Sequence, residues 1–67
     1  MTGTVIEFDD AKGWGTLRGD DGTDHWFHCT AIADGSRTIE VGTAVEFEIV
    51  AGQLGRWEAA NLRPPSA

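Results

Sequence analysis

Lys12-Gly13-Trp14-Gly15-Thr16-Leu17 is the stretch on which the fold turns. As a strand it sends Trp14 and Thr16 to one face and Gly15 and Leu17 to the other. An aromatic set between two glycines is an odd core residue. The glycines keep its ring face clear and admit a close backbone or a flat ligand. A second stretch answers it, His25-Trp26-Phe27-His28. There Trp26 and His28 share one face, and His25 and Phe27 the other. Pairing the two strands makes Trp14, Trp26 and His28 a stacking platform with Lys12 at its edge.

Working outward, Thr4-Val5-Ile6-Glu7-Phe8 has the composition of a first strand. Its alternation fails, because Val5 and Ile6 are adjacent and Phe8 matches only Ile6; a bulge or two-sided burial both fit. Asp9-Asp10-Ala11-Lys12-Gly13 is a turn, and the second strand runs from Trp14 to Arg18. Gly19-Asp20-Asp21-Gly22-Thr23 carries the hairpin dipeptide Asp21-Gly22 and leads into a third strand, Asp24 to His28. Residues 29–33 form one helical or 3₁₀ turn, closed by Asp34-Gly35. A loop follows, anchored by Ile39 and Val41. From Ala44 to Val50 the alternation is clean, with Val45, Phe47 and Ile49 set against Glu46 and Glu48. Residues 51–55 turn the chain, Arg56 to Leu62 is the last strand, and the remainder is a frayed tail.

At 67 residues the chain is one small domain. A chain of that size buries only about 60% of its unfolded surface. The lone Cys29 rules out an intramolecular disulfide, and no signal peptide or long apolar run is visible. These features predict a cytoplasmic protein with no membrane segment. Eleven acids against five bases leave a net charge of −6. That balance opposes strong attraction to phosphates, so any nucleic-acid reading rests on stacking and local charge.

Five short strands with one helical turn after the third predict an all-β fold, a small closed or nearly closed antiparallel barrel. Its core should be Val5, Leu17, Phe27, Ile32, Val45, Phe47 and Ile49. The ordered set Gly3-Thr4-Val5, Phe8, Lys12-Gly13-Trp14-Gly15, Asp20-Asp21-Gly22, Asp24, Phe27-His28, Ala31-Ile32, Gly35, Arg37-Thr38, Gly42, Val45, Phe47-Glu48 and Ala59-Ala60-Asn61 resembles the bacterial cold-shock domain. The likeness covers about residues 3–62. It implies a five-stranded OB-type barrel over residues 1–63, with a tail at 64–67. It also implies binding of single-stranded RNA or DNA by base stacking on exposed aromatics.

The departures from that pattern are specific. The first ribonucleoprotein motif of the family reads Lys-Gly-Phe-Gly-Phe-Ile; here Trp14 keeps the first aromatic and Thr16 loses the second. The second motif, typically Val-Phe-Val-His-Phe, keeps Trp26 and His28 and ends in Cys29. In the first strand, the family's Lys-Trp-Phe-Asn is replaced by Ile6-Glu7-Phe8-Asp9, and an aromatic of the long loop by Ser36. Trp57 is an aromatic that the family pattern does not supply.

Each residue has a bland reading beside the functional one. Trp14 and Trp26 could cap the barrel end, but their setting favours a binding face. His28 can stack or merely bond a neighbour. Lys12 reads as a turn lysine or a phosphate contact, and Arg56 or Arg37 as a neighbour of phosphates. Phe8, Phe27 and Phe47 read as core or half-core, although the family also uses ring edges near Phe8. Trp57 reads as packing on the barrel wall or the long loop. His25, His28 and Cys29 are zinc-type ligands, but the two histidines point to opposite faces and a structural site needs four ligands. No catalytic residue, cofactor or metal is read. The expected function is therefore single-strand binding by a monomer through Phe8, Lys12, Trp14, Trp26, His28 and Arg56. It carries an RNA-chaperone or transcription-linked role, weakened by the lost aromatics. The alternative is a diverged barrel that engages a protein instead.

Overall fold

The computed structural model describes residues 1–52 and 56–65. Its elements are β1 (Thr2–Asp9), β2 (Trp14–Gly19), β3 (Asp24–His28), a 3₁₀ turn (Cys29–Ala31), β4 (Ala44–Ala51) and β5 (Trp57–Arg63). The sequence places all five strands, and β3 from end to end. The turn expected over residues 51–55 and the tail expected after Arg63 lie partly outside the described residues. The hairpin between β2 and β3 forms where Asp21-Gly22 predicts it. Gly22 takes φ 84°, a left-handed conformation that a side chain resists, and the Thr23 amide donates to Asp21 Oδ1 at 2.9 Å.

The strands make one antiparallel sheet in the order β3-β2-β1-β4-β5. The sheet curls until β5 packs along β3, and Ile32 bridges Leu62 in parallel to close the seam. This is a five-stranded OB-type barrel. Two irregularities shape it. In β1 the register slips between Val5 and Glu7, so Ile6 is an extra residue with no partner on β2. A bulge therefore accounts for the broken alternation, since it returns Val5 and Phe8 to the same face. In β5 the register slips opposite Phe47, where Asn61 has φ 55°. Asn tolerates that conformation better than most residues.

The core is Val5, Leu17, Phe27, Ile32, Val45, Phe47, Ala59 and Leu62. Three expectations need correction. Ile49 is only half-buried against this core, because it lies beyond Phe47 toward the end of the barrel. Val41 does not anchor the long loop; it is 63% exposed, and Ile39 alone packs inward there. Trp57 does not pack on the wall. It is 70% exposed, because the β4–β5 ladder carries it past Ala59, the last fully buried residue at that end of β5.

Candidate nucleic-acid interface

The β2–β3 ladder sets the outer face residue by residue. Trp14 pairs with His28, Thr16 with Trp26 and Arg18 with Asp24. The Trp14 and Trp26 rings lie 6.4 Å apart at a tilt of 34°, and Trp26 and His28 lie 6.2 Å apart at 52°. Both spacings fall within ring-contact range, so the three rings form one continuous surface. Lys12 Nζ sits 6.0 Å from the Trp14 ring centroid, at the outer limit of a cation–π contact. It is held there by a tight turn: the Lys12 amide donates to Asp9 Oδ1 at 3.0 Å and the Gly13 amide to the Asp9 carbonyl at 2.8 Å.

The two glycines of the opening motif serve the barrel more than a ligand. A Cβ on Gly15 would lie 2.9 Å from both Phe8 and Phe27 and would strike the Glu7 carbonyl. The close approach is thus made by the chain's own rings and backbone, and Phe8 stacks on Phe27 at 5.9 Å and 8°. Gly13 has φ 75° and lies against Cys29 Sγ.

Of the six residues singled out, four come together: Lys12, Trp14, Trp26 and His28. Phe8 turns inward and is half-buried against the core, leaving part of its ring accessible. Arg56 is exposed just ahead of β5 and shares no strand pairing with this face. His28 does two things at once. Its ring extends the row, while Nδ1 accepts the Thr30 amide at 3.3 Å and lies 3.0 Å from Thr30 Oγ1. That bond occupies the Nδ1 lone pair. Cys29 Sγ stands 3.8 Å from the same nitrogen. His25 faces inward, its ring 5.5 Å from Phe47 and its Nε2 buried with no hydrogen-bond partner.

Acids border the row along β1. Glu7 lies opposite Thr16, and Asp9 opposite Trp14. At the other end, Arg18 Nε holds Asp24 Oδ1 at 2.8 Å with a second, longer contact at 3.3 Å. The hydrogen bond and charge of Asp24 raise the Arg18 pKa, and those of Arg18 hold the Asp24 carboxyl below its usual range. Sequence reasoning missed this pair. The pairing follows from the loop length: Gly19 and Thr23 close around the three residues Asp20, Asp21 and Gly22, which brings position 18 opposite position 24. Arg63 is likewise committed, to Glu46 at 2.7 Å. Lys12, Arg37 and Arg56 make no ion pair among the described residues.

A five-stranded OB-type barrel that presents an aromatic row on β2 and β3 defines a class of small, non-enzymatic nucleic-acid-binding domains. The 'Cold-shock' DNA-binding domain model matches residues 1–65. The chain is 47% identical over 64 residues to the cold shock-like protein CspA of Stigmatella aurantiaca, covering 92% of this chain and 93% of that protein. It is 46% identical over 56 residues to the cold shock-like protein CspLB of Listeria monocytogenes, covering 82% and 85%. It is 43% identical over 64 residues to a cold shock-like protein of Thermotoga maritima, covering 94% and 96%. The chain belongs to the cold-shock domain family.

Proposed function

We propose that this chain binds single-stranded RNA or DNA by stacking bases on Trp14, Trp26 and His28, as an RNA chaperone or transcription-linked factor. The observation that carries the reading is the continuous row of three rings on an outward sheet face, 6.4 and 6.2 Å apart. Every base has a π-face, so such a row holds strands with little regard for sequence. Lys12 supplies a phosphate contact at the row's edge, the accessible part of Phe8 a further ring contact, and Arg56 a cation farther along the strand. The affinity is lower than that of a fully aromatic relative. Thr16 and Cys29 supply no ring, and Glu7 repels phosphates, though solvent and salt screen it.

The test is tryptophan fluorescence during titration with oligothymidine and a mixed RNA hexamer. Strands should quench the emission, and Trp14→Ala and Trp26→Ala should each weaken binding by ~1–3 kcal/mol. Two alanine variants that bind like the parent would remove the platform. One observation favours a second reading: Glu7 and Asp9 line the row directly across the ladder. A diverged barrel that engages a basic protein segment through this face would show no quenching by either strand.

A further inference from the structure

We propose that Arg18, held flat by Asp24, is a further stacking station for the single strand, at the end of the aromatic row nearest the β2–β3 turn. This rests on the single-strand reading above and deepens it, adding a fourth position to the three rings.

The ladder places the pair on the row's own face. Trp14, Thr16 and Arg18 of β2 alternate outward, and so do His28, Trp26 and Asp24 of β3. Arg18 lies two residues past Thr16, and Asp24 two residues before Trp26. Two residues of an antiparallel strand span about 6.8 Å. That step is close to the 6.4 and 6.2 Å between the ring centroids, so the pair continues the row at nearly the same spacing. Thr16 leaves the β2 half of the row without a ring, and Arg18 is the next flat group along it. Across the ladder on β1 its neighbour is the small, exposed Thr4, which leaves a base room to approach.

The ion pair has the geometry of a plate. Arg18 Nε donates to Asp24 Oδ1 at 2.8 Å, and Nη2 donates to Oδ2 at 3.3 Å. Two contacts along one edge fix the guanidinium plane and leave its faces to a ligand. The Arg18 side chain is 56% exposed and that of Asp24 47%, and ion pairs so open to solvent add little to stability. A fixed guanidinium plane is, however, a surface on which a base stacks. Lysine could make the same ion pair but offers no plane. Asp24 already balances the charge, so the plate serves the base rather than the phosphate and its contribution resists salt.

The probe is oligothymidine of about eight nucleotides, within the footprint of such barrels, titrated by tryptophan fluorescence at low and at high salt. Arg18→Ala should weaken binding by about tenfold at both. Arg18→Lys keeps the charge without the plane and should lose nearly as much. Arg18→Phe restores a plane without charge and should bind within about twofold of the parent. Asp24→Ala frees the fork to reach a phosphate. Its high-salt affinity should fall while its log–log salt slope steepens by about 0.7. Urea midpoints of all four should stay near the parent's, because the pair is exposed. If Trp14→Ala and Trp26→Ala bind like the parent, the platform reading itself is wrong. If they weaken binding while Arg18→Ala does not, the row stands, the pair only braces the hairpin and the plate is refuted. If Arg18→Lys keeps the parent's affinity, or the Arg18→Ala loss vanishes at high salt, Arg18 is a phosphate contact and the plate is likewise refuted.

Discussion

Single atoms decide much of this face. Gly15→Ala would drive a methyl group to within 2.9 Å of Phe8 and Phe27 and against backbone at Glu7. Rings and strand must both shift, so the variant should lose ~1–3 kcal/mol in a urea titration. An unchanged midpoint would show that the inner face has slack the stacked rings do not suggest. Thr16 stands directly opposite Trp26 and Glu7 directly opposite Thr16, so a ring at either position would widen the row. Glu7→Trp, Thr16→Phe and Cys29→Phe should tighten single-strand binding by up to ~1–3 kcal/mol each, read by fluorescence titration. Glu7→Gln separates charge from ring: its gain should be small and vanish at high salt. A triple variant that folds normally yet binds no tighter would mean that these positions lie off the strand's path.

The elements were legible in proportion to the regularity of their ladders. β4 alternates cleanly and was read almost to the residue, and β2 and β3 follow from their opposed faces and the Asp21-Gly22 turn. β1 and β5 each hide a bulge, which puts residues three apart on the same face. Val5 with Phe8 and Ala59 with Leu62 are such pairs, and no period-two reading finds them. This is why alternation does not find Ala59 and Leu62 in the core; Ile49 keeps the alternation of β4 but lies toward the barrel end. The hairpin turn also sets a pH dependence. The Thr23 amide bonded to Asp21 holds that carboxyl below its usual range, as the Ser36 amide does for Asp34 and Arg18 for Asp24. Below about pH 4 the unfolded chain binds protons that the folded one does not, so stability should fall with further acidification. Above that range the contribution is complete. Asp21→Asn should flatten the fall in urea midpoint between about pH 4 and 2; a parent whose midpoint rises on acidification would contradict the assignment.

Taken whole, the barrel depends on a few buried rings. Phe47 is fully buried between strands and touches His25, so Phe47→Ala should cost ~3–5 kcal/mol, a large share of the stability of so small a domain. A Phe47→Ala variant as stable as the parent in denaturant would displace that ring from the centre of the core. Charge acts over the same scale. With Arg18 and Arg63 committed to Asp24 and Glu46, three cations remain for phosphates. At about 0.7 per phosphate contact for single strands, the log–log salt slope should be no steeper than roughly −2. A much steeper slope would require Arg18 or Arg63 to leave its partner.

The contact between the Trp14 and Trp26 rings has an optical consequence. Two indoles 6.4 Å apart and tilted by 34° couple their electronic transitions, and a skewed pair of coupled chromophores is chiral. The folded protein should therefore carry an exciton couplet in circular dichroism that neither ring produces alone. Trp14→Phe or Trp26→Phe should each abolish it, and Trp57→Phe should leave it intact. The couplet reports the relative orientation of the two rings without any ligand present. Its change during a titration would tell whether an arriving base leaves the pair as it stands or pries the rings apart.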